Sequence, residues 1–300
     1  MRGPLWAGIA ITVACVPARS QELEPRAYSV SPVGLNFLVT GFGRSTGDLS
    51  FDPTLPVQDG HASLQIESSG YARTLDFFGR SANVAVQVPY VWGNVSGIVS
   101  DVFQSVHRSG LGDPSVRFAV NLWGAPAMDA RKFARYRQRT TLGASIVVTA
   151  PLGQYDPAKL VNIGSNRWAF KPEIGISRRL GRWYLDFYAG AWLFAANSNY
   201  QGRVRTQEAL GSGQFHLSYN FRPRVWAAFD ANFYAGGDTS LNGVRAATFQ
   251  RNSRVGGTVA FPLSRHNALK VSLSTGAVTR IGGAFTTVAF AYQYLWGGGL

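Results

Sequence analysis

The chain holds a single cysteine, Cys15, in 300 residues. It falls in an apolar N-terminal stretch that reads as a removable leader. The mature chain is then expected to carry no thiol, which rules out disulfides and thiolate metal sites there. Four histidines, His61, His107, His216 and His266, lie far apart, and none stands at ligand spacing from a carboxylate. The glycines of Gly41-Phe42-Gly43 and Gly282-Gly283 lack the strand–turn–helix setting of a phosphate cradle. No metal or other cofactor is expected. Long apolar runs are missing too: beyond the N-terminus no stretch reaches the ~20 residues a spanning helix needs. Acidic residues are scarce, with 16 Asp and Glu against 29 Lys and Arg, a formal net charge of +13.

The leader is read from Arg2, an apolar stretch over 5–16, and Ala18-Arg19-Ser20, a small-x-small cleavage site before Gln21. The stretch is too short for an anchor helix. A lipoprotein signal at Cys15 lacks the usual leucine in Thr12-Val13-Ala14. Cleavage would also remove Arg2 and Arg19, leaving 13 − 2 = +11. A basic exported chain is expected to meet anionic lipid, lipopolysaccharide or anionic solutes. Nucleic acid is not an expected partner, because the cations are dispersed along the chain and the export signal points away from the cytoplasm.

What the chain does have is alternation. It is 46% hydrophobic, with 34 Gly, 19 Phe, 12 Tyr and 8 Trp, at a mean hydropathy of −0.02. A transmembrane β-barrel has this average character because only every second residue meets lipid. Val116, Phe118, Val120 and Leu122 alternate with Arg117, Ala119 and Asn121; Trp168, Phe170, Pro172, Ile174 and Ile176 alternate with Lys171, Glu173 and Ser177. Phe215, Leu217, Tyr219 and Phe221 alternate with His216, Ser218 and Asn220. The periods place strands near 34–43, 61–77, 81–92, 113–123, 140–150, 167–178, 183–194, 212–221, 225–235, 250–262, 268–279 and 285–296. A soluble sandwich also alternates. Two features favour the membrane: the apolar faces end in aromatics, and short and long connections alternate along the chain. Residues 44–60, 93–112, 151–166, 195–211 and 236–249 read as long outer loops. Residues 78–80, 179–182, 222–224 and 263–267 read as tight periplasmic turns. Residues 124–139 are expected to form a long periplasmic link with a short basic helix over 128–136, and 280–284 a short outer one.

The expectation is therefore an all-β, transmembrane antiparallel up-and-down β-barrel of about 12 strands, in the outer membrane of a Gram-negative-type cell. Its parts would be a leader (1–20), a periplasmic N-terminal segment (21–33), the barrel (34–296) and a tail (297–300). Tyr292, Tyr294 and Trp296 resemble the terminal aromatic signal read by the barrel-assembly machinery, apart from the appended Gly297-Gly298-Gly299-Leu300.

Several motifs then stand out. They are Ala27-Tyr28-Ser29 with Pro32-Val33-Gly34-Leu35-Asn36, Gly110-Leu111-Gly112-Asp113-Pro114, and Asn121-Leu122-Trp123-Gly124-Ala125-Pro126-Ala127-Met128. Pro151-Leu152-Gly153-Gln154-Tyr155-Asp156 and Asn162-Ile163-Gly164-Ser165-Asn166-Arg167-Trp168 follow, then Asn197-Ser198-Asn199-Tyr200, Gly236-Gly237 and Asn242-Gly243. With these the mature chain resembles, over nearly its whole length, the outer-membrane family named for a putative MetA pathway of phenol degradation. The resemblance implies a transporter-like barrel and, through the family's name, a small aromatic solute. It brings no catalytic residue.

Candidate functional residues follow from alternation. Arg117, Lys171, Glu173, Asp186, His216, Asp230 and Lys270 would face the lumen, as would Asn232 and Gln293. They would either fill it with ion pairs and hydrogen bonds or line a solute path, and about twelve strands leave only a modest bore. In 183–194, Tyr184, Tyr188 and Trp192 share a face with Asp186, yet the opposite face is equally apolar, so the sequence does not choose between lumen and lipid. The polar link with Tyr155, Asp156, Asn162, Asn166 and Arg167 is a candidate mouth or constriction loop, or a self-packed loop held by its Asn and Asp side chains. Two non-channel readings stand beside these. One is a closed barrel with a structural or surface-interaction role. The other is a lipid-modifying enzyme built on His216, Ser218 and Asn220, which would need its histidine to face the membrane. An enzyme is not expected.

Overall fold

The structure, a computed structural model, describes residues 23–50 and 57–299; the expected leader lies outside the described residues. Twelve strands form the wall: β1 (Leu35–Ser50), β2 (Val57–Phe77), β3 (Arg80–Val99), β4 (Ser115–Trp123), β5 (Thr140–Thr149), β6 (Ala169–Leu180), β7 (Trp183–Phe194), β8 (Leu210–Arg222), β9 (Val225–Gly236), β10 (Gln250–Pro262), β11 (Asn267–Val278) and β12 (Gly282–Gly297). Each pairs antiparallel with its neighbour, and β12 closes on β1 from Leu35↔Gly297 to Ser50↔Gly282. Closure leaves the twelve-strand wall without an unpaired edge, the condition for crossing lipid with strands.

Alternation sorts the two faces as expected. On β1, Leu38 and Phe42 point out, while Leu35, Phe37 and Val39 are buried. On β6, Ile174 and Ile176 are exposed, while Lys171, Glu173 and Ser177 are buried. Outward aromatics gather near the strand ends. Tyr71, Tyr294 and Trp296 neighbour one another at one end, as do Trp183, Tyr219 and Phe221, while Phe42, Tyr90 and Trp92 cluster towards the other. These are the two interface girdles.

The ends differ. At the turn end the links are short: Phe78 and Gly79, both at positive φ, make a two-residue hairpin whose Gly79 N–H donates to Asp76 at 2.7 Å. The exception is the link 124–139, which holds α1 (Ala130–Arg135), capped by Asp129. At the loop end, the expected long loop over 93–112 is instead a hairpin. β3 runs on to Val99, turns at Ser100 and Asp101, and returns as a strand over Val102–Leu111 paired to β3. The segments Asn197–Tyr200, Arg203–Gln207, Thr239–Leu241 and Val244–Arg245 form a separate four-stranded sheet at that end.

The expectation of a periplasmic segment at 21–33 needs correcting for residues 25–31, which lie inside the barrel. Pro25, Arg26, Ala27, Tyr28, Val30 and Ser31 are buried. The Tyr28 ring fits against Gly143 and Gly175, where a Cβ would come within 2.1 and 2.3 Å of ring carbons. Below it, Val30 packs with Ala125, Met128 and Phe133, and the Val33 N–H donates to the Met128 carbonyl at 2.8 Å. This strap and the 124–139 link fill the turn end of the lumen. An apolar pair of faces explains the placement: Phe133 and Val30 bury each other rather than meet water.

Candidate functional site

Above the strap, towards the loop end, the lumen opens into a cavity of about 620 Å³. Its wall comes from inward positions of several strands, including Leu64, Val91, Val95, Val147 and Trp192. Its roof comes from loops, through Tyr155, Val161, Ile163, Tyr200 and Leu241. The volume lies within the range of small-molecule sites, and an apolar lining with a few polar groups is their usual composition. Trp192 is buried, as are Tyr188 and Asp186, while Phe187 and Leu193 are exposed. The face of β7 that carries Asp186, Tyr188 and Trp192 therefore looks into the lumen.

The roof loop, 150–168, is held by one carboxylate. Asp113 accepts from the Gly153 N–H (2.9 Å) with one oxygen, and from the Ser165 N–H and hydroxyl (2.9 and 2.6 Å) with the other. Val161 reaches across the mouth to the cluster of Ala62, Val95 and Phe285 on the far wall, and Arg108 donates to its carbonyl at 3.0 Å. Tyr155 and Asn162 line the cavity. Tyr155 donates to the Asn199 carbonyl at 3.0 Å. Asn162 and Asp156 tie the loop tip together, where Asp156 also pairs with Lys159 at 3.0 Å. Asn166 donates to Asn197, and buried Arg167 lies over the Phe194 ring and bonds Gln207. Those last two residues brace the loop's base.

Beneath the cavity sits a dense polar layer. Lys171 Nζ is 2.9 Å from Glu173 and 5.7 Å from the Trp192 ring centroid. Glu173 also accepts from Gln214 (3.0 Å) and from the Tyr28 hydroxyl (3.2 Å). His216 Nδ1 is 2.7 Å from Asp230, which accepts from Thr258 at 2.7 Å. Asp186 accepts from Ser177 and from the Arg26 backbone N–H. Tyr188 receives the Ala27 N–H at 3.1 Å and meets the Tyr28 ring edge-on at 5.1 Å. Arg117 lies 5.5 Å from the Tyr28 ring centroid. Lys270 faces the lumen from the other side of the barrel, level with inward Ala260 and Ala291. Arg117, Lys171, Glu173, Asp186, His216 and Asp230 thus meet around or beside the strap.

The strap's own charges answer to this burial. Loss of water brings the Arg26 guanidinium down to about 10, against the pull of Tyr184 and Asp186. It stays cationic at neutral pH, between the Tyr184 and Trp226 rings. Burial, then neighbouring Glu173, pushes the Tyr28 hydroxyl up, so it remains a donor.

A membrane-facing hydrolase does not fit. His216 and Ser218 are fully buried in the lumen. His216 turns one ring nitrogen to Asp230 and the other to Gln214 at 3.3 Å, not to Ser218. Sequence reasoning missed Arg26, Tyr28, Asp113 and Arg254. Arg254 is buried and donates to the Phe285 carbonyl and the Thr287 hydroxyl at 2.7 and 2.8 Å. A motif carrying Tyr28 and another carrying Asp113 were visible, but nothing in them showed what they touch.

The sequence matches the family described as "Putative MetA-pathway of phenol degradation" over residues 43–290. No curated protein sequence matches it. Among solved structures it resembles the COG4313 outer membrane channel from Pseudomonas putida F1, with a TM-score of 0.76 at 20% identity, covering 92% of this chain and 100% of that one. It also resembles the transport unit of the autotransporter AIDA-I from Escherichia coli (TM-score 0.51, 10% identity, 87% and 90% covered). A third is a mutant of the TodX monoaromatic hydrocarbon channel (0.50, 10%, 90% and 92%). At these identities the likeness is one of fold.

Proposed function

The chain belongs to the family described as a putative MetA-pathway of phenol degradation, and we propose that it is an outer-membrane channel for small aromatic or otherwise apolar compounds. The observation that carries this reading is the cavity of about 620 Å³ at the loop end, walled by valines and leucines and by Trp192. A closed structural barrel has no need of an apolar chamber in its lumen, where water-filled interiors are polar. The presence of an outer membrane channel and of a monoaromatic hydrocarbon channel among barrels of this fold supports it.

In this reading a solute collects under the roof loop, against Trp192, Tyr155 and Val147. The polar layer below holds Tyr28 in place, and passage to the periplasm requires the strap to leave its seat at Gly143 and Gly175. Lys171 and Glu173, Asp186, and His216 with Asp230 act as the strap's socket. Tyr155 and Asn162 act as the roof of the solute chamber, and Asp156, Asn166 and Arg167 shape the loop that carries them. No chemical step is assigned to any residue.

The test is solute flux into liposomes holding the folded barrel, compared with a Val147→Trp variant that fills the chamber. Uptake of a small monoaromatic compound that falls in the variant supports the channel. Equal uptake by both proteins, or none by the wild type, overturns it.

A further inference from the structure

The net charge is not spread over the molecule. The link 124–139 at the turn end carries Arg131, Lys132, Arg135, Arg137 and Arg139, all exposed. The neighbouring strand ends and turns add exposed Arg80, Arg178, Arg182, Arg222 and Arg265. The carboxylates in the described turns and links of this end are Asp76 and Asp129. One is occupied by the Gly79 N–H and the other by the first turn of α1. Among the described residues none of these ten cations lies in an ion pair. At the loop end exposed Arg44, Arg203 and Arg251 also lie in no ion pair among the described residues, but acids stand beside other cations there: Lys159 pairs with Asp156 at 3.0 Å, and Arg245 lies 2.5 Å from Asp238 and 3.4 Å from Glu208. Basic residues that are dispersed along the sequence are thus gathered by the fold at the turn end.

The height of these arginines matters as much as their number. Arg182 precedes Trp183, whose exposed ring packs on Tyr219 with centroids 4.7 Å apart. Arg222 follows exposed Phe221, itself 5.1 Å from Tyr219. Arg139 adjoins the first residue of β5, close to the exposed Trp123 that ends β4. The guanidinium groups thus sit just outside the aromatic girdle, at the level where headgroup phosphates lie. Eight of the ten lie along the β4–β9 arc, and Arg80 and Arg265 carry the line on to the β2–β3 and β10–β11 turns. A lipid leaflet presents its phosphates at this one height along the whole arc, level with the aromatic girdle. Arginine pairs with phosphate through two parallel N–H···O bonds.

We propose that the turn end is a binding collar for anionic phospholipid headgroups of the periplasmic leaflet, with its strongest arc along the β4–β9 side. The collar fixes the depth and tilt of the barrel, and it acts whether or not the barrel conducts.

The experiment is native mass spectrometry of the full-length mature barrel extracted from bilayers of phosphatidylcholine mixed with phosphatidylglycerol. Three proteins are compared: wild type, a turn-end triple variant (Arg178→Gln, Arg182→Gln, Arg222→Gln) and a loop-end triple variant (Arg44→Gln, Arg203→Gln, Arg251→Gln). Heat-modifiable gel migration confirms that each is folded. The wild type and the loop-end variant are expected to retain phosphatidylglycerol over phosphatidylcholine by roughly threefold or more, falling to parity in the turn-end variant and in high salt. Equal retention by all three proteins, loss only in the loop-end variant, or no preference in the wild type would overturn the proposal. So would a preference in the wild type that does not respond to salt.

Discussion

The two halves of the lumen are built from the same strands and do different things. Towards the loop end the inward positions of β2, β3 and β5 are Leu64, Val91, Val95 and Val147, and they surround open space. Towards the turn end, inward positions of β6 to β9 are Glu173, Asp186, His216 and Asp230, and they close on Arg26 and Tyr28. Inward polar groups deep in a barrel must be satisfied by one another or by water. Here a piece of the same chain satisfies many of them. The chamber is therefore the place where side chains can change without unfolding the protein, and the polar layer is the place where they cannot.

That contrast can be broken in graded steps. Removing Glu173 as Glu173→Ala leaves Lys171 buried without its charge partner and takes an acceptor from Tyr28 and Gln214. The expected loss is about 3–5 kcal/mol in equilibrium unfolding from lipid vesicles. Val161→Ala, on the roof loop, is expected to cost well under half of that. Equal losses would erase the distinction between the halves. A smaller effect is expected from Gly175→Val, which places a side chain where the Tyr28 ring sits. The wall should persist while the strap is expelled. In a Cys15→Ser, Ala27→Cys background, whose sole cysteine is the engineered one, a thiol reagent should label position 27 far faster with Gly175→Val than without it. Asp113→Ala should act more locally still. It frees the Gly153 and Ser165 donors, so amide exchange across 150–168 should rise while exchange in β6 to β9 stays unchanged. Least of all is expected from Arg245→Gln at the exposed loop end: no measurable change in stability or flux.

Much of the wall could be read from the chain because lipid outside and polar lumen inside impose a period of two. The strand over 225–235 and that over 250–262, for example, match β9 and β10 to within a residue. The extension of β3 to Val99 was missed for the same reason: alternation continues past the membrane, and period alone does not mark where lipid stops. β7 was ambiguous because Trp192 and Leu193 are both apolar, and only the register of Asp186 against His216 reveals the inner face. The strap was not legible at all. Residues 25–33 have no period, and Tyr28 meets Ser145 and Glu173, which are 117 and 145 positions away. Gly143 and Gly175 look like ordinary strand glycines until a ring is seen against them. Of the mouth loop, composition showed that it was polar and turn-rich, but not that Asp113, some 40 residues earlier than Gly153, anchors it.

In the proposed channel the strap separates a solute chamber at the loop end from the periplasm. Single-channel recording of the wild type and of Tyr28→Ala in the same planar bilayers addresses this separation most directly. The wild type is expected to show a small or mostly closed conductance, and Tyr28→Ala larger, longer openings once the ring that fills the seat at Gly143 and Gly175 is gone. Indistinguishable traces from the two folded proteins would contradict it.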